Sequence, residues 1–169
     1  MSVIAPKVTI IIPHYNEKEC LQRHLRSIDA QTLNNFEVVI VDDATPDEAT
    51  VSFIKDFTRE RPTMHLVRNT ENVRLIKTCH KGIKLAKGEY ICLLNSDTQI
   101  KSTFIEEDVR IMDSDCSIGA LSCVVVDQHG NNWFSGGRSR HGAAFNLTDD
   151  FEGVRPVDYV AVTAAFHRW

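Results

Sequence analysis

The sequence predicts an α/β fold with a mostly parallel central sheet, and three observations carry that expectation. Short apolar runs at 8–12 (Val-Thr-Ile-Ile-Ile), 36–41 (Phe-Glu-Val-Val-Ile-Val) and 91–94 (Ile-Cys-Leu-Leu) have the length and composition of strands covered on both faces. Segments with helical periodicity lie between them. Each run stops at residues able to meet a ligand: Pro13-His14-Tyr15, Asp42-Asp43 and Asn95-Ser96-Asp97. In open parallel sheets ligands bind beyond the carboxyl ends of the strands, where these residues fall.

The chain is 169 residues long, 43% hydrophobic and 25% charged. Those values suit one domain spanning 1–169 with a core of its own. A net charge of −4 offers no basic footprint for nucleic acid. The apolar stretch before Pro13 is too short for a signal-peptide core or a membrane span, so a cytoplasmic location is expected, compatible with peripheral contact at the inner face of a membrane. Five cysteines without a C-x-x-C pair suggest neither a disulfide framework nor a zinc ribbon, and most should be buried free thiols. Seven histidines show no H-E-x-x-H spacing and read as surface or packing residues. No repeat, low-complexity tract or charged linker divides the chain.

In order, the first strand should end at Pro13, which lacks the N–H of a central ladder. Asn16 with Glu19 predicts a capped helix carrying Leu21, Leu25 and Ile28 on one face. The second strand ends on Asp42 and Asp43, one of which could equally serve the dipole of the next helix. That helix should start at Thr45-Pro46-Asp47-Glu48 and run to about Phe57. A short strand at 64–67 and a turn at 69–72 follow. Leu75, Ile76, Cys79, Ile83 and Ala86 predict the buried face of a third helix, with Gly88 as its stop. Gly82 inside that helix points to close packing against sheet or ligand.

The run at 91–94 then delivers Asn95-Ser96-Asp97, a carboxylate suited to Mg²⁺ or Mn²⁺ or, equally, a polar turn. Thr103 and Glu106 read as a capping box for a fourth helix. Residues 118–126 read as a strand, 130–142 as a mobile, glycine-rich loop with Trp133 and Phe134, and 157–166 as a final strand.

Four stretches occur in one order: Pro13-His14-Tyr15-Asn16-Glu17, Val41-Asp42-Asp43, the segment from Gly82 to Tyr90, and Leu94-Asn95-Ser96-Asp97. Together they resemble the family 2 glycosyltransferases over most of the chain. The resemblance implies a GT-A fold, a Rossmann-like α/β/α sandwich that takes a nucleotide-sugar donor and a divalent metal. Carried over by position, Pro13 and Tyr15 line the nucleoside pocket with Glu17 near it, and Asp43 accepts from the ring N–H of the base. Asp42 is the less certain partner. Asn95-Ser96-Asp97 stands for the D-x-D motif, with Asp97 on the metal and Asn95 nearer the ribose. The implied reaction is inverting transfer of a sugar, UDP- or dTDP-linked, to a glycan or glycolipid. Leu94-Asn95-Ser96-Asp97-Thr98 and Val157-Asp158-Tyr159-Val160 resemble rhamnosyl- and galactofuranosyltransferase-like members.

The sequence also departs from the family. Asn95 replaces an acid, removing one anionic ligand. Asn72-Val73-Arg74 stands where Asn-x-Gly is usual, and His80 where an asparagine precedes Gly82 by two. Arg74 could sit near the diphosphate or be a solvated arginine, and His80 could face the donor or be simply packed or exposed. The carboxylate base of inverting members falls in an acidic segment after the strand that 157–168 resembles. Asp158 is the candidate within reach of that region, although relatives more often use this aspartate structurally. The expectation is an N-terminal portion of a longer protein, the alternative a shortened natural form. A nucleotide-binding module without turnover is the competing reading. A nucleotidyltransferase lacks its basic glycine-rich loop here, and a dehydrogenase its G-x-G-x-x-G.

Overall fold

The computed structural model describes residues 5–134, 137–140, 143–146, 154–158, 160 and 164–168, with 137–140 and 143–146 described as backbone. The apolar runs form β1 (Val8–His14), β2 (Phe36–Asp42), β3 (Met64–Arg68) and β4 (Tyr90–Leu94), joined by α1 (Lys18–Asp29), α2 (Glu48–Arg59) and α3 (Arg74–Ile83). After β4 come α4 (Phe104–Ser114), β5 (Ala120–Ser122), β6 (Val125–Val126), β7 (Asn132–Phe134), β8 (Gly137–Arg140), β9 (Ala143–Asn146) and β10 (Ala164–Arg168). The main sheet runs β3-β2-β1-β4-β10-β5. Its first four strands are parallel, and β10 is antiparallel to both β4 and β5. The expected mostly parallel α/β sheet is present.

Alternation along the strands separates two faces. Val8, Ile10 and Ile12 of β1, Val38 and Ile40 of β2, and Cys92 and Leu94 of β4 pack with Leu21, Leu25 and Ile28 of α1, Ile54 of α2 and Ile105 of α4. On the other face, Ile11, Ile91 and Leu93 meet Cys79 of α3. Gly82 explains how close α3 lies: a Cβ there would fall 2.4 Å from Ile11 Cγ2, so the close packing is against the sheet. A Cβ on Gly88 would fall 2.4 Å from the Thr9 backbone nitrogen. Gly88 therefore permits a backbone approach rather than stopping the helix, which already ends at Ile83. Thr9 Oγ1 accepts from Gly88 N at 2.8 Å and donates to the buried Glu37 carboxylate at 2.7 Å. Glu37 in turn accepts from Lys87 N at 2.8 Å.

Several expected boundaries move. β1 continues through Pro13 to His14, pairing with β2 as far as His14↔Asp42. The His14 carbonyl accepts from Asp43 N, so Pro13 turns its backbone to the opposite side, where the ladder with β4 has ended at Ile11↔Leu93. No donor is needed there. Asn16 does not cap α1: Asn16 and Glu17 both have positive φ, 61° and 47°, and Glu17 stands at the N-cap without a side-chain bond. Asp47, not Thr45, caps α2, accepting from Ala49 N and Thr50 N. Thr45 Oγ1 is taken by Asn16 N at 2.9 Å. The box at Thr103 and Glu106 is not formed. Gln31 Oε1 instead accepts from Ile105 N, and Glu106 accepts from Thr32 Oγ1.

α3 buries Thr78, Cys79 and Gly82, while Leu75 and Ile76, expected inside, are exposed. The strand expected over 118–126 is split into β5 and β6, because β10 pairs with 120–122 alone. The expected loop at 130–142 contains β7 and β8, which pair with the flanking β6 and β9 as short antiparallel ladders. Gly136 and Gly142 lie outside the described residues. The last strand starts at Ala164, and Val157, Asp158 and Val160 are not in a strand. All five cysteines are free, with Cys79 and Cys92 buried and Cys116 exposed.

Candidate active site

The strand order reverses its direction of winding at β1, which has β2 on one side and β4 on the other. In open α/β sheets ligands bind in the crevice at such a reversal, and here the loops that follow β1 and β4 flank that position. The β1 loop carries Tyr15, 45% exposed, then Asn16 and Glu17 in their left-handed conformations. The β4 loop carries the half-buried Asn95 and Ser96 and the exposed Asp97. Pro13 is buried beneath, and the ends of β2 and β3 continue the same edge.

Successive residues point to opposite faces, so Asp42 and Asp43 have separate environments. Asp43, on the α3 side, accepts from Asn69 Nδ2 at 2.7 Å, Val73 N at 2.9 Å and Arg74 N at 2.9 Å. Burial alone would raise its carboxyl, but the donors from Val73, Asn69, Thr78 and Arg74 outweigh it and hold Asp43 below the ordinary carboxylate value. Lys81 Nζ supports this set by donating to Asn69 Oδ1 at 2.7 Å. Asp42, fully buried, lies 3.0 Å from Arg68 Nε and accepts from Thr45 N. Arg68 also donates to the Thr45 carbonyl at 2.7 Å. Arg74, at the glycine position of the family's turn, adopts φ 71°, a backbone conformation that glycine takes without steric cost. Its side chain is exposed, as is His80 on α3.

Two buried histidines belong to this region and were not expected there. His14 is 2% exposed, in register with Asp42, and among the described residues neither ring nitrogen has a hydrogen-bond partner. Burial pushes it down to about 4 against the opposing pull of Asp42. His24 on α1 is buried and bonds through Nδ1 to the Thr98 carbonyl, tying α1 to the β4 loop. Burial lowers its pKa, while that bond and the charge of Asp97 oppose the shift. The available signal was phase: His14 follows Val8, Ile10 and Ile12 by steps of two, and His24 follows Leu21 by three.

Among the described residues, no hydrogen bond or ion pair engages the Asp97 carboxylate, and no group of three His, Cys, Asp or Glu side chains could enclose a metal. A hard cation here could take one carboxylate oxygen from Asp97 and would need phosphate and water oxygens for the rest of its shell. Asp158 is exposed and lines a separate cleft of about 980 Å³ with Asp108, Arg155 and Ser122, between α4, β5 and the segment at 154–158. Asp108 in that cleft is pushed up to about 7 by burial.

A parallel α/β sheet with carboxylates at its switch point is the arrangement of GT-A sugar-nucleotide enzymes, and the solved structures it resembles have that fold. A mannosyltransferase, PcManGT from Pyrobaculum calidifontis, solved with GDP-Man and Mn²⁺, superposes with a TM-score of 0.65 at 27% identity, over 73% of this chain and 36% of that one. The Glycosyl transferase family 2 model matches residues 9–168, and the chain belongs to that family. An uncharacterized glycosyltransferase, MJ1057 of Methanocaldococcus jannaschii, is 26% identical over 129 residues, 75% of this chain and 44% of that protein. Glycosyltransferase GlyA of Streptococcus pneumoniae is 32% identical over 104 residues, 62% of this chain and 15% of its own length. The chain thus spans less than half the length of these curated relatives. No helix among the described residues is long and apolar enough to cross a membrane.

Proposed function

We propose that this chain carries the donor-binding half of an inverting glycosyltransferase that moves a sugar, UDP- or dTDP-linked, to a glycan or glycolipid acceptor. The observation that carries the reading is the pairing of an uncommitted carboxylate, Asp97, with a fixed one, Asp43, across the switch point. Asp43 has two donors on Oδ1 and one on Oδ2. In this reading Oδ2, which takes Arg74 N, also accepts the ring N–H of a base. Tyr15, exposed beside it, offers a face for stacking on that base, with Pro13 and Glu17 flanking and Asp42 holding Arg68 behind. Asn95 and Ser96 face the ribose, and Arg74, at the N-terminus of α3, stands beside the donor region, while His80 is exposed on the outer side of that helix. Asp97 holds a divalent cation, Mg²⁺ or Mn²⁺. Such an ion, when bound, stabilises the charge that gathers on the departing diphosphate. The resemblance of the 94–98 and 157–160 stretches favours a rhamnosyl- or galactofuranosyl-type donor.

Calorimetric titration with UDP, dTDP and GDP, each with and without Mn²⁺, tests the reading against an Asp97→Ala variant. One nucleotide should bind in a metal-dependent manner that the variant loses. Absence of any nucleotide binding would remove the transferase reading. A second reading, nucleotide binding without turnover, is favoured by the position of Asp158 in the cleft at β5. Binding of the donor without sugar transfer by the chain and by a longer form of the protein would establish it.

A further inference from the structure

α3 carries a basic surface of which the proposed donor site uses only Arg74. The stretch 72–88 contains Arg74, Lys77, Lys81, Lys84 and Lys87 and no acidic residue, in a chain of net charge −4. Several basic side chains elsewhere find acids at short range: Arg61 to Asp29 at 2.7 Å, Arg68 to Asp42 at 3.0 Å, Lys7 to Glu89 at 2.8 Å and Arg110 to Glu107 at 2.8 Å. Among the described residues, none of the five basic side chains of α3 and its following turn enters an ion pair. Lys81 is directed inward to Asn69 Oδ1 and the Arg68 carbonyl, which leaves Lys77, Lys84 and Lys87 exposed. Large apolar side chains are interleaved with them: Ile76 is 84% exposed, Leu75 51% and Leu85 43%. Helical spacing accounts for the pattern. Thr78, Cys79 and Gly82 face the sheet, so Ile76, Lys77 and His80 occupy the outer side.

The composition of this face selects its partner. A phosphate polymer such as nucleic acid would satisfy the lysines and leave Ile76 in water. A bilayer with anionic headgroups satisfies both, with lysine stems lying along the apolar boundary, their ammonium groups at phosphate, and Ile76 among the upper acyl carbons. We propose that the outer face of α3 docks this chain on an anionic lipid surface. The proposal stands independently of the donor reading. α3 runs from the carboxyl edge of the sheet back toward its amino edge, so its N-terminus lies at the edge that bears the crevice. Docked on α3, the crevice opens along the membrane plane rather than into it.

Co-sedimentation with vesicles of phosphatidylcholine, with and without phosphatidylglycerol, tests this on the chain itself. The chain should pellet only with the anionic vesicles. Lys77→Gln with Lys84→Gln should weaken partitioning roughly 25-fold, about fivefold per lysine, and Ile76→Asp should weaken it comparably. Lys55→Gln on α2 should leave it unchanged. All four positions are exposed, so thermal melts should coincide with that of the parent chain. Nucleotide titrations should be unaffected by these variants, which separates a failure here from a failure of the donor site. The proposal is overturned if the chain stays in solution with anionic vesicles, or if binding survives Ile76→Asp and is removed by competing duplex DNA, the signature of a phosphate polymer site.

Discussion

At the end of β2, Asp43 accepts from Asn69, Val73 and Arg74, whereas at the end of β4 the Asp97 carboxylate accepts from no described residue. Both aspartates follow apolar strands and reach the same edge of the sheet. The chain has fixed one in place with its own backbone and left the other to the solvent. A ligand meeting Asp43 meets a group whose orientation is already set, so little ordering remains to be done on binding. A ligand meeting Asp97 must bring its own partners. The first is part of the fold as well as of the proposed site, and the second would serve the proposed site alone.

The largest expected effect follows from removing the fixed member. Asp43→Ala strands a buried amide donor and two backbone N–H groups, and should lower stability by about 3 kcal/mol in a denaturant melt. A loss within experimental error would erase the contrast. Asp97→Ala should leave the melt within about 0.5 kcal/mol of the parent. Its metal-dependent nucleotide affinity should nevertheless fall by roughly 30-fold, about 2 kcal/mol. A destabilised Asp97→Ala would mean that the carboxylate is structural after all.

A third test uses pH. His14 has its folded value lowered from 6.5 to about 4, so the unfolded chain binds the proton first and stability is lost as pH falls from about 6.5 toward 4. Stability should drop by about 1–2 kcal/mol between pH 7 and pH 5, and His14→Gln should flatten that slope. Asp43 behaves differently, since its folded value is lowered from 3.8. The stability it contributes is present above 3.8 and is lost only as pH falls through the lower folded value. The two acid limbs are therefore separable by variant. The smallest effect is expected at Arg74→Gly, which relieves the φ 71° backbone and should raise stability by at most about 1 kcal/mol. Unchanged nucleotide affinity in that variant would remove Arg74 from the donor site.

The strands and helices were legible because apolar runs and helical spacing report burial directly. Their ends were not. Thr45, a sound local cap, gives its hydroxyl to Asn16 N, and α4 is capped by Gln31, far away in sequence. Local rules cannot anticipate donors that tertiary packing supplies. Leu75 sits at helical spacing with Cys79 yet is exposed, and Ile76 falls on the outer side of α3. The acidic tips at Asp42, Asp43 and Asp97 were readable from strand ends. The cage of Asn69, Lys81 and Thr78 around Asp43 was not, because it depends on how the loop before α3 folds back over β2.

Among the described strands of the main sheet β10 is the last in chain order, and it inserts between two that precede it, β4 and β5. Viewed as an order of assembly, β3, β2, β1 and β4 can pair as soon as residues 8–94 are available, but β5 has no neighbour in this sheet until residues 164–168 arrive. During synthesis β4 therefore presents an unpaired edge through Ile91, Cys92 and Leu93, and such an edge is a template for another chain. The long closure between Leu94 and Ala164 is slow relative to the local βα pairings that precede it. The strand that leads to Asp97 thus keeps one edge open to mispairing until residues 164–168 are made.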